Sequence, residues 1–284
     1  MRRSETEPLS GAADSRLQDR QFVVSLGRGL QLLQAFKLGD DSVTNAELAR
    51  RTGLPKPTVS RLTYTLTVLG FLSPNADGKG YHLHPHVLSL GYPVLAKLDV
   101  RQIARPLMQA LADYSGGTVA LGVRDGRDMI YVERSRDRTV VTLPLEIGSK
   151  MPIATTAIGR GYLAGLPDFE RETLLEEVRS SGPEDWWLPM RQAIDREMER
   201  YRTHGYCFSA GHWDPDANAA GVPLVVDGVR MALSCGGPSS RVSHARLDDL
   251  GERLKELARN IIAGRGGAAH HDSRSDTNER QPEQ

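Results

Sequence analysis

TNAELARRTGLPKPTVSRLTYTLTVLGFL, residues 44–72, carries two short helical patterns that meet across a glycine-containing turn. That arrangement is a helix-turn-helix. Thr44 followed by Glu47 makes a capping box, and Ala46, Leu48 and Ala49 then fall on the inward side of the first helix. Thr52-Gly53-Leu54-Pro55 stops it. Pro57 stands where a second helix begins, and Val59, Leu62, Leu66 and Leu69 recur at helical spacing, so that face is core. The opposite face presents Thr58, Arg61, Tyr64 and Thr65, flanked by Lys56 and Ser60. Hydroxyls and cations of this kind bond phosphates and base edges, and the helix fits a DNA major groove. Any pair of helices with a polar outer face has the same pattern, so the flanks decide.

The flanks favour DNA. Downstream, Phe71-Leu72, the turn Ser73–Gly80 and the returning Tyr81-His82-Leu83 predict a two-stranded wing, with Lys79 in its turn. Upstream, Ser25 caps a helix carrying Leu26, Leu30, Leu33 and Phe36, the third helix such a domain needs to close its core. Residues 20–86 contain eight Lys or Arg against four Asp or Glu, a local excess of +4 in a chain of zero net charge. Local cationic excess drives phosphate contact and makes affinity fall steeply with salt. His82, His84 and His86 alternate on the returning strand and have the spacing of metal ligands. No carboxylate or thiol at ligand spacing accompanies them, so they read as wing residues near the phosphates.

At 284 residues and 39% hydrophobic content the chain can build two cores. No apolar run approaches the roughly 20 residues of a membrane span, and the N-terminal segment lacks a signal-peptide centre, which makes cytoplasm the expectation. Cys207 and Cys235 are too few for a disulfide framework and have no metal-site spacing. Residues 1–20 and 265–284, polar and poor in large apolar side chains, read as disordered tails. They bracket a DNA-binding domain over 21–86, a linker helix over 87–104 and a second domain over 105–264. The linker pattern breaks around Gly91 and Pro93 and near Pro106. Its stripe Val87, Leu88, Leu90, Leu95 and Leu98 is too apolar to stand alone in water, which points to a homodimer reading a pseudo-palindromic operator.

From Thr118 the period changes. TVALGVR and MIYVER are strands joined by Asp125-Gly126, and VVTLPLEI (140–147) gives a third. Helices are expected at 156–164, 169–179 and 188–204, then strands near 206–209, 221–226 and 229–234, and a closing helix over 246–263. This mixed order argues for an α+β domain, an antiparallel sheet with packed helices. Within it, GSKMPIATTAIGR (148–160) is a loop running into a small-residue helix. Amides at the helix start near Thr156, Ala157 and Ile158 would favour an anion such as a carboxylate, with Thr155 and Thr156 either assisting or capping.

Enzyme readings are weaker. Gly159–Gly165 is one residue too long for a dinucleotide fingerprint and lies inside a helix. Cys235, His212 and Asp214 have the residue types of a thiol triad without a nucleophile motif. Trp186 and Trp187 read as packing residues. No cofactor is implied.

From about Ser25 to Ala263 the chain resembles the IclR family of bacterial transcriptional regulators. The stretches that carry it are SLGRGLQLLQAF, ELARRTGLPKPTVSRLTYTL, GYHLHPHVLSLG, GSKMPIATTAIGRGYLAG, HGYCFS and ALSCGGPSSRV. The resemblance implies an N-terminal winged helix-turn-helix domain, a linker helix and a C-terminal GAF-like effector-binding domain. It also implies dimers or dimers of dimers that repress or activate catabolic operons in answer to small organic acids. By position, the effector pocket would fall on Val140, Leu143, Met151, Ala157, Ile158, Pro223, Ser234 and Gly236. The polar residue after the HGY strand would fall on Ser209, His212 or Asn218. Arg28 joins the phosphate contacts by the same route. The expectation is therefore a ligand-responsive repressor and not an enzyme. The alternatives are an enzyme with an autoregulatory DNA-binding module and an architectural DNA-binding protein whose second domain only oligomerises.

Overall fold

The computed structural model describes residues 21–37, 39–137 and 145–272, and these fall into two units that part between Lys97 and Leu98. The first contains helices α1 (Val24–Gln34), α2 (Asn45–Thr52), α3 (Lys56–Val68) and α4 (Leu88–Ala96), with strands β1 (Leu72–Pro74) and β2 (Tyr81–Leu83). Leu32, Val43, Leu48, Val59, Leu66 and Leu72 form its core. The Thr44 hydroxyl accepts the Glu47 amide at 3.2 Å, as a helix N-cap should. Gly53 ends α2 at φ 70°, a left-handed conformation that L side chains resist, and its amide returns to the Ala49 carbonyl. In the wing Leu72 pairs with Leu83, and Val43 bridges to Tyr81, tying the wing to the segment before α2.

Several expectations here need correction. Helix α1 begins one residue before Ser25 and has no side-chain cap. Leu32, not Leu26 or Leu30, is its buried residue, and the latter two are 62% and 49% exposed. The helix is apolar on more than one face, and sequence spacing did not distinguish which one packs. Ala46 is exposed, and Leu69 caps the end of α3 and is also exposed. The chain turns at Gly70, so the core position Leu69 would have taken falls to Leu72.

The linker expected as one helix over 87–104 is two, α4 and α5 (Val100–Ser115). The break comes at Lys97–Asp99, while Pro93 and Pro106 lie inside helices. Each proline removes one backbone hydrogen bond; in α5, burial of Val100, Ala104, Met108 and Leu111 offsets that loss.

Helix α5 opens the second unit. It continues as β3 (Thr118–Asp125), β4 (Asp128–Arg136), β5 (Lys150–Pro152), α6 (Ala157–Ala164), α7 (Asp168–Arg179), α8 (Glu184–His204), β6 (Cys207–Ala210), β7 (Ala217–Val226), β8 (Val229–Pro238) and α9 (Leu247–Asp272). The strands form one antiparallel sheet in the order β5-β4-β3-β8-β7-β6, so the fold is α+β. Asp227 (φ 52°) and Gly228 (φ 75°) make the two-residue turn between β7 and β8 that their sequence predicts. Helices α6, α7 and α8 share a core with one face of the sheet through Met129, Tyr131, Ile158, Leu163, Leu175 and Ile194, joined at its edge by Trp186 and Trp187. Helices α5 and α9 pack on each other and on the sheet.

The third strand expected at 140–147 is not where the edge strand lies. Residues 140–144 are outside the described residues, 145–147 are not strand, and β5 occupies 150–152. Helix α9 runs to Asp272, past the expected tail boundary at 265, because extending a helix adds a hydrogen bond per residue without a new nucleation cost. The tail expected over 1–20 lies outside the described residues. No helix among the described residues is long and apolar enough to cross a membrane.

Candidate effector cavity and nucleic-acid interface

Helix α3 owes its position to the side chains it buries. Val59, Thr63 and Leu66 face the core, which turns Lys56, Ser60, Arg61, Tyr64 and Thr65 outward; Thr58 is half-buried and Tyr64 is 71% exposed. The polar residues form two stripes. Thr58, Arg61 and Thr65 border, with Arg28 of α1, a hollow between α1 and α3. Lys56, Ser60 and Tyr64 follow the side nearer α2, where the Asn45 amide reaches the Ser60 hydroxyl at 3.4 Å. Lys79 is exposed in the wing turn. The side chains of Arg28, Lys56, Arg61 and Lys79 make no ion pair among the described residues, leaving them available to an external anion.

Arg50 and Arg51 differ. Both bind Glu47, whose carboxyl is held at about 2 by the hydrogen bond from Arg50 and then by that from Arg51, and Arg51 also engages Asp40. That network fastens α2 to the segment after α1. The three wing histidines are engaged separately. His82 contacts the Asn75 side chain at 3.1 Å, His84 accepts the His86 amide at 3.1 Å, and the His86 ring packs against Phe71 at 5.0 Å.

In the second unit, α6 is pressed against β7 so closely that a Cβ on Gly221 would lie 2.0 Å from the Ala157 carbonyl oxygen. Glycine is required at such an approach. Beside it lies a cavity that, with its open mouth, encloses about 590 Å³ of space. Of the residues expected there, Met151, Ala157, Ile158, Ser209, Ser234 and Gly236 line it, as does Asn218. Pro223 does not: it packs beneath Gly165 at the far end of α6, because β7 carries it past the helix start. Val140 and Leu143 lie outside the described residues. His212 is drawn away from the lining to Arg160, 3.4 Å from a guanidinium nitrogen.

Thr118, Tyr131, Leu145, Trp213 and Ala219 also line the cavity. Thr118 and Tyr131 were within reach of strand alternation, but which face of the sheet was hollow depends on where α6 lands. Trp213 sits in a loop and gave no signal.

The polar groups are arranged in a definite way. Thr156 caps α6: its hydroxyl accepts the Gly159 amide at 3.2 Å and donates to the Pro152 carbonyl at 2.7 Å. The amides of Ala157 and Ile158 have no acceptor among the described residues. At a helix start the dipole makes such donors an anion site. Ser209 donates to the Thr155 carbonyl at 2.6 Å, and the Asn218 amide to the Val242 carbonyl at 2.9 Å, so both are held in place. Burial pushes the Tyr131 hydroxyl up to about 12, against the pull of its hydrogen bond with Ser234. It is therefore a neutral donor at any ordinary pH.

Cys235 stands opposite Val119 in the β3–β8 register, and Ser234 opposite Ala120. Side chains alternate across a sheet, so Cys235 points away from the cavity, toward Ser115 of α5. Burial raises its thiol to about 11, and His212 lies near Arg160 on the other face. The thiol-triad reading has no geometry.

A recognition helix flanked by a wing, followed by an α+β unit with an internal cavity, is the architecture of a one-component transcriptional regulator. Residues 25–76 match the IclR helix-turn-helix domain, and residues 92–263 match the family described as bacterial transcriptional regulator IclR C-terminal. The HTH-type transcriptional regulator TsaQ1/TsaQ2 of Comamonas testosteroni is 33% identical over 85% of this chain and 88% of its own. The crystal structure of an IclR family transcriptional regulator from Brucella abortus is 42% identical, covers 87% of this chain and 94% of its own, and superposes with a TM-score of 0.72. An IclR homologue from Microbacterium hydrocarbonoxydans, complexed with 4-hydroxybenzoate, shares the fold (TM-score 0.69, 23% identity, 86% of this chain and 99% of its own). The chain belongs to the IclR family: it is a ligand-responsive, DNA-binding transcriptional regulator.

Proposed function

We propose that the cavity beside α6 binds a small organic acid and that this binding controls operator occupancy by a homo-oligomer, repressing a catabolic operon in the cytoplasm. The observation that carries the proposal is the pair of unpaired amides at Ala157 and Ile158, two residues that line a space whose apolar walls include Met151, Leu145 and Trp213. An apolar body fits those walls, and a carboxylate fits amide donors at a helix start. The Tyr131 and Ser234 hydroxyls are hydrogen-bonded to each other on the cavity wall, which places both beside a ligand.

On the DNA side the proposed contacts are Arg28, Lys56, Thr58, Ser60, Arg61, Tyr64, Thr65 and Lys79, within a domain spanning 21–86. Leu88, Leu90, Tyr92 and Val94 of α4 are 56–73% exposed, and a second copy of the chain is the proposed cover for this apolar surface. Such a dimer sets two recognition helices on a pseudo-palindrome. Ligand binding would favour one arrangement of that dimer and so change operator affinity. Cys235 alternates away from the cavity-lining Ser234, and the proposal is regulation without catalysis.

The test is calorimetric titration of the full chain with 4-hydroxybenzoate and a panel of aliphatic and aromatic monocarboxylates, repeated with Ala157→Trp. Heat from one acid that vanishes in the variant supports the reading. Absence of heat from every acid, or equal heat in the variant, overturns it. Equal operator affinity with and without a bound acid would overturn the switch alone.

A further inference from the structure

Helix α6, AIGRGYLA, sets one arginine among small and apolar residues, and the Arg160 side chain is fully buried. A buried guanidinium ordinarily sits on a carboxylate. Arg160 instead donates to neutral acceptors. Nε reaches the Ala154 carbonyl at 3.1 Å, and Nη1 reaches the Phe208 carbonyl at 2.8 Å and His212 Nδ1 at 3.4 Å. Its Nη2 has no acceptor among the described residues. Glu197 of α8 is the nearby carboxylate, but it accepts the Phe208 amide at 2.6 Å and faces Arg200 at 3.4 Å.

These bonds join three segments that build the cavity. Ala154 belongs to the loop leading into Thr156 and Ala157, Phe208 precedes Ser209, and His212 precedes Trp213. The loop between β6 and β7 is also held by the Gly211 amide on the Ala217 carbonyl at 3.0 Å, the Asp216 amide on the Asp214 carboxylate at 2.8 Å and the Ser239 amide on the Asp216 carbonyl at 2.7 Å, none of which reaches α6. We infer that Arg160 and His212 form a proton-sensitive latch that positions this loop, and Trp213 with it, against the cavity. The functional part of this inference rests on the cavity being the effector site.

The chemistry is direct. His212 Nδ1 accepts from Arg160 only while it carries no proton. Protonation sets N–H against N–H and places a second cation beside the first. The charged side chains facing the imidazole are Arg160 from α6 and Arg196 from α8, both cationic. Burial, then Arg160, then Arg196 hold the imidazole below its ordinary 6.5. A lowered folded pKa means that the latch is intact above about 6.5 and is lost as pH falls through the lower folded value. Effector affinity then drops in acid by more than titration of the acid itself accounts for.

Fluorine NMR of the full chain labelled with 5-fluorotryptophan tests this without any effector. The chain has three tryptophans, Trp186, Trp187 and Trp213, and the Trp213 resonance is assigned by its loss in Trp213→Phe. Between about pH 8 and pH 5, where histidines titrate, that resonance is expected to move with a midpoint below 6.5 while the other two stay in place as a control on folding. In His212→Gln, whose amide oxygen still accepts from Arg160, the movement is expected to vanish. A Trp213 resonance that does not titrate, or that titrates equally in His212→Gln, overturns the latch. If it titrates as expected and no acid binds at any pH, the latch stands and the effector reading falls.

Discussion

At the scale of single residues, exposure and partnering separate side chains that the sequence makes look alike. Arg50, Arg51 and Arg61 all lie on the helix-turn-helix, yet the first two hold Glu47 and Asp40 while Arg61 is left facing outward. Arg61→Ala is expected to weaken operator binding by about 1–3 kcal/mol and to relax sequence preference, whereas Lys79→Ala should weaken all sequences alike and lower the salt slope by about one. Fluorescence anisotropy on cognate and scrambled duplexes at several salt concentrations separates the two. If both variants behave alike, the division into base and phosphate contacts is wrong. The cysteines make a second comparison. Burial raises the thiols of both Cys207 and Cys235, and a thiolate is the reactive form. A thiol reagent such as DTNB should modify neither in the native chain and both after denaturation; rapid native labelling would show that the core opens.

At the scale of elements, two contacts govern how the helices are placed. Thr44 caps α2 through the Glu47 amide, and Thr44→Ala should cost the helix-turn-helix about 0.5–2 kcal/mol, read as a lower melting temperature without lost effector binding. Gly221 lets β7 meet the start of α6. Gly221→Ala has to push these elements apart, a cost of about 1–3 kcal/mol by overpacking, and should also displace the amides of Ala157 and Ile158. The expected readout is weaker binding of the acid with operator affinity in its absence unchanged. Much of this was visible in advance. The Thr44 cap, the Gly53 stop, the Asp227-Gly228 hairpin and the loop running into α6 rest on local chemistry, which a linear pattern contains; the other half of the capping box is missing, because the Glu47 carboxylate is taken by Arg50 and Arg51. The faces of α1, the register end of α3 and the two-helix linker were not, because each depends on what the element meets.

At the scale of the whole molecule, the two units have separate cores and meet in sequence at Lys97 and Leu98. Differential scanning calorimetry should therefore resolve a transition that a bound acid raises and another that operator DNA raises. The apolar surface of α4 belongs to this scale too, since one chain leaves Leu88, Leu90, Tyr92 and Val94 in water. Leu88→Glu combined with Leu90→Glu should convert the assembly to monomers in sedimentation velocity and reduce operator affinity steeply. An unchanged sedimentation coefficient would place the subunit contact elsewhere.

The residues in chain order were enough to establish the winged helix-turn-helix, the α+β second unit and the capped helix start at Ala157. Those features follow from capping, turn chemistry and apolar period, all of which act over a few residues, while the family was legible as a resemblance of whole stretches. The cavity wall was a different matter. Thr118, Tyr131 and Trp213 come from separate strands and a loop, and Pro223 was displaced from the set, because sheet register and the landing of α6 on Gly221 determine which alternating side chains face the hollow. The same long-range packing brought Arg160 of α6 to His212, far along the chain, and left Cys235 on the opposite face of the sheet.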